Sequence, residues 1–255
     1  MPLLEITGLT KRFGGLQALS NFSFSMGERE LVGLIGPNGA GKTTVFNIVS
    51  GFYRPTEGSI VFRRQLLNGL KPHRVTSMGM ARTFQNIRLW NDLTVLDNIR
   101  LARYARLDYG FWDAVLRTGR YRRAEKAVET KAREVLELME LAEYAGEFPK
   151  NLPYGLQRRV ELARALAGNP RLLLLDEPAA GLGSVDVEGL IRHIRWIYDE
   201  FKISIWMIEH QMKVVMSLCQ RLSVMDFGCA IAEGTPEEIR RNPEVVRAYL
   251  GDGAL

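Results

Sequence analysis

The stretch 31–51, "LVGLIGPNGAGKTTVFNIVSG", decides the architecture. It opens with an unbroken apolar run, the pattern of a strand buried on both faces of a parallel sheet. Gly36 ends the run, and a helix is expected from about Thr43 to Ser50, with Gly51 placed as its C-terminal cap. Between strand and helix, Gly36, Gly41, Lys42 and Thr43 meet the spacing G-x-x-x-x-G-K-[ST]. Along Gly36, Pro37, Asn38, Gly39, Ala40 and Gly41, the glycines allow successive backbone N–H groups to turn inward, where side chains would block a phosphate chain. Lys42, Thr43 and Thr44 carry the loop into the helix, whose positive N-terminal end adds to the cradle. Lys42 is expected to neutralise β- and γ-phosphate oxygens of ATP, and the Thr43 hydroxyl to hold Mg²⁺.

Outward from this stretch, "RLLLLDEP" (171–178) is a second buried strand ending in Asp176 and Glu177. Ligands of open α/β sheets sit at that end of the strands. Asp176 suits a Mg²⁺ partner, and Glu177 a base that polarises the attacking water. "MARTFQ" (80–85) reads as a strand closing at Gln85, within reach of metal and water, and "ISIWMIEH" (203–210) as one closing at His210. As a neutral imidazole, His210 would hydrogen-bond the γ-phosphate. Phe13 in "LTKRFGG" stacks on adenine or packs in the core, and both readings stay open. His73 and His193 read as structural, with no metal-site spacing among the three histidines.

Further strands are expected at "LLEIT" (3–7), "ALSNFSFSM" (18–26) and "GSIVFRR" (58–64), and a hairpin at 221–234 turning through Asp226–Gly228. From Leu93 to Leu141 the texture is helical, with Val128, Ala132, Val135 and Met139 forming one buried stripe. Helical spacing returns from Val187 to Phe201. The alternation implies an α/β fold: a P-loop NTPase (RecA-like) core with an N-terminal antiparallel β portion and an inserted helical subdomain. Residues 1–86 and 160–255 form the expected ATP-binding core, and 87–159 the helical insertion.

The 255 residues are 46% hydrophobic and 25% charged, an ordinary globular balance. No apolar run approaches the roughly 18–20 residues of a membrane span, and the N-terminus lacks the pattern of a secretory signal. Cys219 and Cys229 read as small buried hydrophobes in a reducing compartment. The net charge of +5 is concentrated: residues 100–133 carry ten Lys/Arg against four Asp/Glu. Such a patch suits nucleic acid, anionic lipid, an acidic partner or plain solvent. No aromatics are interleaved at stacking positions, which argues against nucleic acid.

None of this explains "NLPYGLQRRVELARAL" (151–166), a glycine-containing turn that feeds a basic helix. With the phosphate loop, Gln85, "LLLLDEPAAGL" and His210 in this order, the whole chain resembles the nucleotide-binding subunit of an ABC transporter. In that family two subunits face head to tail, and the Leu-Ser-Gly-Gly-Gln loop of one caps the ATP of the other. The resemblance assigns that role to Leu152, Pro153, Tyr154, Gly155, Leu156 and Gln157, and an opposite-site contact to Asp186 in "GSVD". Leu152 and Gly155 fit the family pattern. Pro153 stands for the serine, Tyr154 for a glycine and Leu156 for the glutamine, with Gln157 next.

"MARTFQNIRLW", "DEPAAGL" and "NPEVVRAYLG" are similar to the larger ATP-binding subunit of branched-chain amino-acid importers. That resemblance implies a second, related ATPase, two membrane permeases and an extracytoplasmic binding protein, with this chain at the cytoplasmic face. Urea and amide importers use close relatives. A nucleic-acid or ribosome ATPase of the same superfamily would need coiled-coil arms or two ATPase units, and a bare P-loop kinase would not need 152–157 and His210 in this order.

Overall fold

The computed structural model describes residues 2–104 and 109–250, without the side chains of Ser184, Val185 and Leu250. Part of the basic run and Gly251 of the closing segment lie outside the described residues. The chain begins with strands β1 (Leu4–Phe13), β2 (Leu16–Met26) and β3 (Leu31–Ile35), then helix α1 (Lys42–Val49) and strands β4 (Glu57–Phe62) and β5 (Gln65–Leu66). Helix α2 (Pro72–Ser77) and strand β6 (Met80–Arg82) lead into helices α3 (Val95–Tyr104), α4 (Phe111–Val115), α5 (Gly119–Leu138) and α6 (Tyr154–Ala167). Strand β7 (Leu172–Asp176), helix α7 (Ser184–Phe201), strand β8 (Ser204–Ile208) and helix α8 (Met212–Leu218) follow. Strands β9 (Arg221–Asp226) and β10 (Cys229–Gly234) and helices α9 (Pro236–Arg241) and α10 (Pro243–Leu250) complete it.

Two sheets form. One is antiparallel in the order β2-β1-β4-β5; the other runs β10-β9-β3-β8-β7-β6, parallel from β9 to β6. Successive side chains of a strand point to opposite faces, so the central strands feed two cores. Leu173, Leu175, Ile205 and Met207 face the helical side with α6 and α7. Leu172, Leu174, Trp206 and Ile208 face the antiparallel sheet and α1. There the rings of Phe24 and Trp206 stack with centroids 4.4 Å apart. Val128, Ala132, Val135 and Met139 are buried together, as their spacing requires.

Three strand ends expected from the sequence need correction. β4 stops at Phe62, because Arg63 and Arg64 have φ of 49° and 65° and make the turn into β5. Both positive values define a tight hairpin turn that arginine does not announce. β6 ends at Arg82, three residues before Gln85, and β8 at Ile208, two before His210. The helical texture from 93 to 141 breaks at Gly110 and Thr118, which precede α4 and α5.

Both cysteines are free; Cys219 is buried, while Cys229 is only partly so. Burial pushes the Cys219 thiol up to about 12. At pH 8 its thiolate fraction is then on the order of 10⁻⁴. Iodoacetamide is expected to label Cys229 in the native protein and Cys219 only after denaturation, as peptide mass mapping would show.

Candidate active site

β3 lies between β8 and β9 and releases the loop 36–41 at the edge of the parallel strands. Gly36, Gly39 and Gly41 have φ of 147°, 83° and 99°, values that favour glycine. At Gly36 space decides as well: an added Cβ would lie 2.0 Å from the Met225 carbonyl oxygen. The β9–β10 turn supports the loop from behind, the N–H of Gly228 donating to the carbonyl of Ala40 at 3.0 Å. Among the described residues, no acceptor is bonded to the N–H of Asn38, Gly39, Gly41, Lys42, Thr43 or Thr44. These amides form an open set of donors at the start of α1. Lys42 is folded back, its Nζ donating to the carbonyls of Gly36 and Pro37 at 2.8 Å each. Burial draws its pKa down, opposed by the charge of Glu177.

At the end of β7, Asp176 is buried and its Oδ2 accepts from Arg82 at 2.7 Å. Arg82 also donates to Asn47 Oδ1 of α1 and to Ser50 Oγ at its C-cap, each at 2.9 Å, and lies over the Phe84 ring. This guanidinium ties β6, β7 and the phosphate-loop helix together. Its sequence signal was slight: one cation in "MARTFQ", on the strand adjoining an acidic strand end.

Glu177 has a φ of 47°. A left-handed conformation costs a non-glycine residue roughly 1–2 kcal/mol, and here it is fixed by the Glu177 N–H donating to the Ile208 carbonyl at 2.9 Å. The Glu177 carboxylate accepts from Gln85 Nε2 at 2.9 Å and lies 3.7 Å from His210 Nδ1. Gln85, Glu177 and His210 are therefore gathered although none closes a strand. The buried Glu209, which the sequence reading missed, fixes that corner. Its Oε1 accepts from the N–H of His210 and Gln211, and its Oε2 from that of Ala179.

Thr43, Gln85 and Asp176 line one cavity of about 340 Å³. With Gln85 Nε2 engaged by Glu177 and Asp176 Oδ2 by Arg82, a hydroxyl, an amide oxygen and one carboxylate oxygen are left. Such an all-oxygen set fits a hard cation that keeps several water or phosphate ligands, as Mg²⁺ does. Phe13 is half-exposed at 41%, edge-to-face with Tyr53 at 5.3 Å, and so is not a core residue. His193 is half-buried, its Nδ1 2.8 Å from the Gly189 carbonyl; burial lowers its pKa.

The 152–157 segment lies elsewhere. Pro153 is the N-cap of α6 and gives no side-chain cap hydrogen bond. Gln157 N–H donates to the Pro153 carbonyl, while the N–H groups of Tyr154, Gly155 and Leu156 meet no acceptor among the described residues. Gln157 Nε2 donates to the Leu152 carbonyl at 2.9 Å, bracing the turn. Gly155 and the exposed Asp186 line a separate cavity of about 270 Å³ that includes no phosphate-loop residue. Tyr154 donates to the Ala180 carbonyl at 3.2 Å. Arg158, 2% exposed, donates to the carbonyls of Phe84 and Gln85 at 2.7 and 2.8 Å and to Glu161 at 2.8 Å. The helix behind this turn thus grips the segment that carries Gln85.

Open amides behind a buried parallel strand, with a carboxylate clustered beside an amide and an imidazole, define a P-loop nucleoside triphosphatase. The profile of the ABC transporter family matches residues 19–180, and that of the branched-chain amino acid ATP-binding cassette transporters matches 231–254. The chain is 46% identical over 251 residues, 98% of each chain, to the high-affinity branched-chain amino acid transport ATP-binding protein LivG of Salmonella typhimurium (strain LT2). It is similar to a nucleotide-free ATP-binding cassette from an ABC transporter, with a TM-score of 0.84 and 28% identity over 99% of this chain and 100% of that one. It is also similar to a dimeric ATP-binding cassette bound to ADP and Pi in a post-hydrolysis state, with a TM-score of 0.75, 26% identity and coverage of 91% and 98%. The chain belongs to the ABC transporter family, as the ATP-binding subunit that couples ATP hydrolysis to transport. No helix among the described residues is long and apolar enough to cross a membrane.

Proposed function

We propose that this chain powers the import of branched-chain or other hydrophobic amino acids, working as one of two ATPase subunits at the cytoplasmic face of the inner membrane. The observation that carries the two-subunit mechanism is the split site. Phosphate-loop amides lie open on one part of the chain, and the free amides of Tyr154, Gly155 and Leu156 lie on another. One subunit's ATP would then be closed by the other's residues 152–157 and Asp186. The dimeric relative and the likeness to LivG support the arrangement and the transported class.

In this reading, residues 36–44 wrap the phosphates, Phe13 stacks on adenine, and Thr43, Gln85 and Asp176 hold Mg²⁺. Bound there, the ion would offset phosphate charge during attack by water. Glu177 takes the proton from that water. Gln85 orients the Glu177 carboxylate, and His210 donates toward the γ-phosphate side. Residues 1–86 and 160–255 form the core, and 87–159 the helical subdomain. The partners are a related second ATPase, two permeases and an extracytoplasmic binding protein, with no nucleic acid.

Pro153 supplies neither hydroxyl nor N–H to the ATP it would face. One hydrogen bond to a charged group contributes roughly 1.5–3 kcal/mol, about ten- to a hundredfold in affinity. Pro153→Ser is expected to tighten ATP-driven dimerisation by about that factor, measured by gel filtration against ATP concentration; an unchanged midpoint removes position 153 from the contact.

The assignment is tested by purifying the tagged chain from its native membranes in mild detergent and identifying its companions by mass spectrometry. Two permeases, a second ATPase and a binding protein that binds leucine, isoleucine or valine are expected. A urea- or amide-binding protein would redirect the substrate, and recovery with nucleic acid or ribosomes would overturn the transporter role.

A further inference from the structure

The basic run between residues 100 and 133 takes no part in the nucleotide site. Within it, α4 and the residue after it carry Phe111 and Trp112, 73% and 71% exposed, and Val115 and Leu116, 54% and 70% exposed. At spacings of one, four and five, these four fall on one side of a single helical turn. Phe111 and Trp112 meet edge to face at 5.4 Å, so, contrary to the sequence reading, exposed aromatics do stand among the cations of this run. Large apolar groups this exposed stand off the surface as a wedge, and contiguous apolar patches on soluble proteins mark contact sites.

The charge around the wedge is one-sided. Arg117, Arg122, Arg123 and Lys126 are exposed, and none is in an ion pair among the described residues. Of the three described carboxylates of this run, Glu129 is paired with Arg133, and the two nearest the wedge are turned to internal partners. Asp113 accepts from the Gly110 N–H at 3.2 Å and from the Thr118 hydroxyl at 2.8 Å. Glu125 accepts from the Tyr104 and Tyr109 hydroxyls at 2.9 and 2.8 Å, and from Arg100 at 3.2 Å. The surface cations are therefore left to meet something anionic.

We propose that α4 and the start of α5 dock on an anionic lipid bilayer. Phe111, Trp112 and Leu116 enter the boundary between headgroups and acyl chains, and Arg117, Arg122, Arg123 and Lys126 lie on the headgroups. The occupant follows from form and charge together. A peptide is held by a groove, whereas a raised aromatic wedge gains by sinking into a soft apolar layer under a negative surface. Phe and Trp on one side with arginines beside them is the composition of interfacial helices.

The test uses the purified full-length chain and vesicles of phosphatidylcholine with or without phosphatidylglycerol, so it needs no transport partner. Its failure would leave the transporter assignment standing. Wild-type protein should sediment with the phosphatidylglycerol vesicles only, with a blue shift of tryptophan emission, and release in high salt. Each cation near such a surface contributes roughly fivefold, so Arg122→Glu with Arg123→Glu should lower partitioning by at least about tenfold. Phe111→Ser with Trp112→Ser should remove the blue shift and weaken binding, while ATPase activity of both variants stays at the wild-type level. Equal binding to both lipid compositions, or variants that bind like wild type, would overturn the proposal. So would a chain that ignores vesicles while the Phe111/Trp112 variant fails to assemble with its permeases, which would assign the wedge to protein.

Discussion

Glu177→Gln is expected to bind ATP like the wild type and to hydrolyse it about 10²–10⁴ times more slowly, the scale of a positioned general base. The substitution is nearly isosteric. An amide oxygen can still accept from Gln85 Nε2, now at 2.9 Å from the carboxylate, so the cluster keeps its shape and loses its base. Binding should survive because its donors are the amides of Asn38, Gly39 and residues 41–44 together with the Lys42 ammonium, none of which depends on the Glu177 charge except that ammonium. There, loss of the carboxylate removes a charge that raises the lysine pKa against burial. If hydrolysis reopens the pair of subunits, as proposed, the variant should accumulate as an ATP-closed dimer. Single-turnover phosphate release and gel filtration with ATP check the two halves of this expectation. Near wild-type turnover would remove Glu177 from the role and turn attention to His210, 3.7 Å away.

What the sequence made legible was local. The phosphate loop is written in glycine spacing, and its backbone requirement is steric at Gly36, where the Met225 carbonyl leaves no room for a Cβ. β3, β7 and β8 are buried on both faces and read as unbroken apolar runs. The stripe of α5 follows from helical period. Arg63 and Arg64 were missed because arginine gives no turn signal, yet both adopt positive φ between paired strands. Gln85 reads as a strand end in the sequence, because "MARTFQ" does not mark where ladder pairing stops. The pairing ends with Arg82 opposite Leu174. Arg82 could not be placed from its neighbours in sequence, since its partner Asp176 lies 94 residues away, and the burial of Glu209, whose Oε2 accepts from Ala179 30 residues away, is set by the fold. Arg158 and Glu161 were hidden for a related reason. Charged residues three apart on a helix usually form a solvated pair, and only the fold reveals that this face is covered.

That pair yields the second large effect. Arg158 and Glu161 have side chains 2% and 1% exposed, so removing one partner leaves an uncompensated buried charge. Arg158→Met is expected to destabilise the chain by about 3–5 kcal/mol, a fall in Tm on the order of 10 °C for a chain of this size. Glu161 would lose its only ion-pair partner among the described residues, and the carbonyls of Phe84 and Gln85 would lose their donors at 2.7 and 2.8 Å. The double variant Arg158→Met with Glu161→Met separates stability from function. Two apolar groups of similar volume in place of a buried ion pair are often neutral or stabilising, so much of the lost Tm should return. ATPase activity should not return with it, because the hydrogen bonds joining Arg158 and Glu161 to residues 84–88 would be gone, and the amide proposed to orient Glu177 would be less firmly held. Thermal melts and turnover measured on the wild type, both single variants and the double variant form the cycle. If activity recovers in step with Tm, the pair serves stability alone. If Tm recovers and turnover does not, the helix proposed to face the partner's ATP is joined through Arg158 to the proposed water-activating cluster of its own chain.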